Sequence, residues 1–176
     1  MAYKFNPFTG NFDQVGSGSG STAGVMTTLF DHYTDAASSG TSETDLYSDT
    51  IAAGQLASNG DKIFFSYFGT TTTNATIRVY FGGTDITDSN ISTANGGGFA
   101  NEGWNISGFL IRVNSTTVRA ILTMDSGVSS DTDIVTLYKE ITGLTLSNTQ
   151  ILKISGEIGS GTVTAKGGSV SYQSAV

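Results

Sequence analysis

An all-β fold, an antiparallel β-sandwich or jelly roll preceded by an extended N-terminal arm, is predicted by three features of this chain. Apolar and polar side chains alternate over short runs, and those runs are separated by clusters of Gly, Asn, Asp and Ser. No window of about eleven residues keeps apolar positions at i, i+3, i+4 and i+7 without a Gly or a β-branched run interrupting it. Thr, Val and Ile, with their stiff χ1 angles, favour the pleated surface over the helix.

The elements follow in order. MTTLFDHYT and ETDLYSDTI supply two early strands. GQLASNGDK holds a single turn at most. DKIFFSYFG is a strand ending in glycine, and ATIRVYFGG places Ile77, Val79 and Phe81 on one face and Thr76, Arg78 and Tyr80 on the other, which defines a strand with one buried face. WNISGFLIRV, TTVRAILTM, TDIVTLYKEI, TQILKISGEI and GGSVSYQS repeat the pattern. The glycines inside these runs, Gly108 and Gly156, mark bulges or places where another backbone approaches closely. FGGTD and the glycines after Asn95 read as turns, because no helix follows them to present an anion-binding N-terminus.

Three zones separate by composition. Residues 1–15, MAYKFNPFTGNFDQV, form an aromatic arm that contains the chain's one proline; residues 16–24 form a Gly/Ser linker; residues 25–176 form the β domain. A flexible coil of that linker's length reaches roughly 15–18 Å. At 176 residues the chain is long enough for one domain with a substantial core. Ser, Thr and Gly make up roughly 40% of it, so its surface is hydrated by hydroxyls and amides more than by ions.

The net charge of −7 and the scatter of the eight basic residues argue against a nucleic-acid surface, which needs clustered Lys and Arg. No apolar run approaches the roughly 18–20 residues of a membrane span. No basic stretch followed by an apolar segment marks a signal peptide at the N-terminus, so synthesis in the host cytoplasm is expected. Cysteine is absent, which removes disulfides and thiolate chemistry.

No catalytic residue, metal site or cofactor is predicted, and the protein is expected not to be an enzyme. The sole histidine, His32, lies in LFDHYTD and reads as a surface or interface residue rather than a catalytic base. No nucleophile elbow, zinc-binding H-E-x-x-H or P-loop is present. The acidic residues Asp85, Asp88, Asp125, Asp131, Asp133, Glu140 and Glu157 read as solvated turn formers, and neither TDITDSN nor SSDTD has the spacing of a helix-loop-helix calcium site. Trp104, the one tryptophan, either caps the core or, with Asn101 and Asp85, offers a platform for a sugar.

The run LYSDTIAAGQLASNGDKIFFSYFGTTTTNATIRVYFGGTDI resembles a domain common among virion structural proteins of tailed bacteriophages. The similarity rests on Leu46 and Tyr47, on Leu56 with Asn59, Gly60 and Asp61, on Gly69, on Arg78 followed by Tyr80, Phe81, Gly82, Gly83 and Thr84, and later on Trp104, Ile106, Ile111 and Arg112. It covers most of residues 44–173. KFNPFTGNFD is similar to leaders that stand before unrelated distal domains in phage structural proteins.

The resemblance implies a virion protein of the head-fibre, capsid-decoration or tail-fibre kind, commonly a homotrimer, that meets capsid or tail proteins of its own particle. Its arm residues Tyr3, Phe5, Asn6, Pro7, Phe8, Phe12 and Asp13 then bind a neighbouring virion protein, with Pro7 stiffening an extended segment laid into a groove or onto a sheet edge. A module binding host-surface glycan through Trp104, Asn101 and Asp85 is the alternative.

Overall fold

The computed structural model describes residues 2–6, 11–15, 24–87, 92–93, 102–127 and 132–176. In the arm, β1 (Ala2–Asn6) and β2 (Asn11–Val15) form a two-stranded antiparallel sheet of their own. The body contains β3 (Met26–His32), β4 (Ala36–Ser38), β5 (Thr44–Ile51), β6 (Lys62–Thr71), β7 (Ala75–Phe81), β8 (Thr84–Asp85) and β9 (Ser92–Thr93). It continues with β10 (Glu102–Asn114), β11 (Thr117–Gly127), β12 (Thr132–Ile141), β13 (Gln150–Ile158) and β14 (Val163–Gln173).

These strands build the expected antiparallel sandwich. The larger sheet runs β12-β11-β10-β6-β14-β3, with β4 following β3 along the free side of β14; the smaller runs β5-β13-β7-β8, with β9 also on β7. All nine runs of alternating residues form strands, and GQLASNGDK forms no helix; where one turn at most was expected, two follow each other, closed by Gln55 N–H on the Ala52 carbonyl (3.1 Å) and Asp61 N–H on the Ser58 carbonyl (3.1 Å).

Alternation decides which side chains go inside. On β7, Ala75, Ile77, Val79 and Phe81 are buried, as the sequence requires, and on β6 Ile63, Phe65 and Tyr67 are. With Trp104, Ile106 and Leu110 of β10, Leu122 and Met124 of β11, and Leu152, Ile154 and Ile158 of β13, they form one continuous core between the sheets. The β7–β8 turn explains FGGT: Phe81 pairs with Thr84 across Gly82 and Gly83, both at positive φ (56° and 81°), the geometry of a two-residue hairpin loop that excludes β-branched residues.

The glycines inside strands answer to close packing. A Cβ on Gly108 would lie 2.4 Å from the Ile121 carbonyl oxygen, and one on Gly156 would lie 2.8 Å from Val163. Gly156 also follows a register shift between Ile154 and Ser155, so both expected roles of a strand glycine are present there.

One polar cluster ties the sheets together at the β5 side. Asp49 of β5 is 2% exposed, and its carboxylate accepts the Tyr67 hydroxyl of β6 at 3.0 Å. His32 Nε2 of β3 lies 3.0 Å from each carboxylate oxygen; since a carboxylate only accepts, Nε2 carries the proton. The His32 ring stacks on Tyr47 at 4.1 Å, and the Tyr47 hydroxyl reaches the carbonyls of Thr34 (2.8 Å) and Ala165 (3.2 Å). His32, read as a surface or interface residue, is part-buried, its imidazole turned inward to serve a buried carboxylate.

The two-residue strands β8 and β9, the strand β4 and the start of β14 went unread in the sequence. Val163 to Ala165 of β14 pair with Ser38 to Ala36 of β4, two stretches of small residues with little hydrophobic contrast. The linker zone lies outside the described residues except Gly24, whose N–H donates to the Ser174 carbonyl at 3.2 Å and so belongs to the body.

Burial and the neighbouring Asp49 carboxylate raise the Tyr67 pKa well above the ordinary tyrosine value of 10.0. The folded state therefore holds this proton where the unfolded chain releases it, and the resulting stability is complete below pH 10 and lost as pH climbs toward the folded value. Denaturant titrations from pH 9 to 11 should show stability falling above pH 10, by about 1.4 kcal/mol per pH unit for this one group. Tyr67→Phe should remove that part of the slope and cost about 1–3 kcal/mol at pH 7, because Asp49 loses a donor. An unchanged slope in the variant would place the high-pH loss elsewhere.

Candidate functional site

The arm pairs in a defined register: Tyr3 with Gln14, Lys4 with Asp13, Phe5 with Phe12, and Asn6 with Asn11. Five of the seven expected anchor residues therefore lie on a two-stranded ribbon. Pro7 and Phe8 lie outside the described residues.

The expected sugar platform requires a correction. Trp104 is 2% exposed and packs over Gly69 of the neighbouring strand β6, where a Cβ would lie 2.5 Å from its ring. An indole enclosed in this way presents no face to a sugar. Asp85 stands in the other sheet, where its Oδ1 accepts the Thr87 N–H at 2.8 Å and closes a local turn. Asn101 lies outside the described residues. Among the described residues no group of three or more His, Asp or Glu side chains is arranged to hold a metal ion.

What the sequence missed is the organisation of the larger sheet's outer face. Strand register carries one row across it from Ser171 to Phe64, Phe109, Ile121 and Tyr138. The adjacent row runs Ser169, Ser66, Ser107, Thr123 and Thr136. An apolar band thus lies beside a ladder of hydroxyls. Phe64 and Phe109 meet at 5.7 Å between ring centres, and a shallow groove of about 210 Å³ lies between Phe109, Ile121 and Tyr138.

Toward β12 this face grows more open. Tyr138 is 61% and Ile134 64% exposed, both on β12, the last strand of the sheet. Arg119 and Glu140 on the next row neutralise each other through a hydrogen bond of 2.8 Å. The arrangement can bury flat apolar area against a protein partner, with hydroxyls to complete hydrogen bonds at its margin. Each strand shows its outward residues in the sequence, but only the pairing register lines them up.

No family model and no curated protein matches this chain. Among solved structures, the chain is similar to one described as the structure of infectious bursal disease virus Gx strain, at 15% identity and a TM-score of 0.23, over 85% of this chain. The match spans 41% of that viral chain, so this chain corresponds to about two fifths of its length, and the likeness is too slight to define a shared topology.

The packing of Trp104 sets an expected outcome. Trp104→Ala should cost about 3–5 kcal/mol by urea denaturation, and Gly69→Ala about 1–3 kcal/mol. A tryptophan variant as stable as the parent would return the indole to the surface.

Proposed function

We propose that this protein is a structural component of a bacteriophage particle, of the capsid-decoration, head-fibre or tail-fibre kind, fixed by its N-terminal arm and displaying the β-sandwich outward. It acts without catalysis and without a cofactor, and its location is the virion. The observation that supports the reading is that, among the described residues, β1 and β2 pair with each other and with no strand of the body. The resemblance of KFNPFTGNFD and of residues 44–173 to phage structural proteins supports the same division of labour.

In this reading the arm residues Tyr3, Phe5, Asn6, Phe12 and Asp13, with Pro7 and Phe8, engage a capsid or tail protein of the same virion. An extended aromatic ribbon suits a groove or a sheet edge, where main-chain hydrogen bonds supply affinity and alternate side chains supply register. Particles assembled with a chain lacking residues 1–15 should contain none of it, while the truncated protein stays folded and soluble. Incorporation at the normal level would falsify the anchor.

The body associates as a homotrimer, and the band of Phe109, Ile121 and Tyr138 is the face that supports such packing. Subunits of net charge −7 repel one another, and a face whose Arg119 and Glu140 are paired lets them approach with little electrostatic cost. Sedimentation should report a trimer for the full chain and a monomer for Ile121→Asp combined with Tyr138→Asp, with the sandwich intact by circular dichroism. A parent protein that sediments as a monomer contradicts the assignment.

A further inference from the structure

At one end of the sandwich three connections meet around a groove of about 680 Å³: the β5–β6 loop, the Ser115–Thr116 turn between β10 and β11, and the β12–β13 loop. We propose that this groove is a binding site for a carboxylate-bearing saccharide, with Arg112 as the residue that receives the carboxylate.

Arg112 is the basic residue that lines the groove. Arg78 is paired with Glu43 and Glu157, Arg119 with Glu140, Lys153 with Asp45 and Lys166 with Asp35. Arg112, in the groove wall, forms no ion pair among the described residues, in a chain with nearly twice as many acids as bases. Its Nη1 donates to the Leu56 carbonyl, while Nε is shielded from solvent and has no hydrogen-bond partner among the described residues.

The lining identifies the class of ligand. Ser115, Thr116, Thr145 and Ser147 bring four hydroxyls, and Leu144 and Leu146 supply apolar surface beneath them. One guanidinium matches one carboxylate through paired, charge-assisted hydrogen bonds. Hydroxyls around it exchange hydrogen bonds with ring hydroxyls, and the leucines accept the C–H face of a sugar. The volume falls within the usual range for small-ligand sites, about 300–1,000 Å³. A single cation is too little for a polyphosphate or nucleic acid.

The groove is built before any ligand arrives. Leu144 N–H donates to the Thr116 carbonyl at 3.1 Å and Leu146 N–H to the Ser115 carbonyl at 3.3 Å, zipping the β12–β13 loop onto the β10–β11 turn. Arg112 is itself clamped: its N–H donates to the Asp61 carbonyl at 2.9 Å, and its carbonyl accepts from Gly60 at 2.8 Å. Walls held in this way lose little entropy on binding. The site is independent of the arm and of the outer face.

The test is an ¹⁵N NMR titration of the full chain with trigalacturonate, maltotriose and acetate. Trigalacturonate should shift the resonances of residues 53–57, 112, 115–116 and 144–147 in a saturating manner, and neither of the other probes should do so at equal concentration. Arg112→Gln should weaken binding ~tenfold or more. Ser147→Phe, at an exposed position on the groove rim, should abolish binding with the remaining spectrum preserved, which keeps the test decisive if the arginine variant fails to fold. Equal shifts from maltotriose overturn the role of the carboxylate, and equal shifts from acetate overturn the saccharide. A spectrum unmoved by all three, or full affinity in Ser147→Phe, overturns the site.

Discussion

The buried carboxylate of Asp49 fixes how the two sheets of this protein meet. A charge enclosed between apolar layers costs several kcal/mol unless its oxygens are hydrogen-bonded. Here the donors come from the opposite sheet, Tyr67 from β6 and His32 from β3. That requirement aligns β5 over the β6–β14–β3 side of the larger sheet, and Tyr47 strengthens the alignment by stacking on His32 and reaching the Ala165 carbonyl of β14. Hydrophobic burial drives the sheets together without preferring one offset; directional bonds to Asp49 select it.

Much of the fold was legible because alternation and turn chemistry are local. Ile77, Val79 and Phe81 announce an inward face, and Gly82-Gly83 announce a tight hairpin, without knowledge of any other strand. Features made by pairing between distant segments were not legible. Small residues such as Ala36 and Ala165 carry no periodic signal, and they become strands only because each completes the other's hydrogen bonds. His32 and Asp49 are seventeen positions apart, and no local pattern states that one serves the other. Of the two roles the sequence left open for Trp104, the core role holds and the platform does not, and no local pattern could decide between them: the vacancy above Gly69 that receives its ring exists only once β6 and β10 are in register.

Inner and outer surfaces divide the work. The inner faces and the Asp49 cluster make the sandwich, and they take up the histidine and the tryptophan that a search for chemistry would first consider. What remains on the outside is a flat band running from Phe64 to Tyr138, a ribbon at the N-terminus and a groove around Arg112. All three are surfaces for contact. Sandwiches host many activities, so the functional reading rests on these surfaces and on the phage-like sequence motifs rather than on the architecture.

Electron cryomicroscopy of the assembled particle tests the central claim most directly. The account predicts density for the β-sandwich on the particle exterior, joined through residues 16–23 to an arm whose residues 2–15 lie against another virion protein. A particle that carries the sandwich with those first residues touching nothing, or one that lacks the chain altogether, contradicts it.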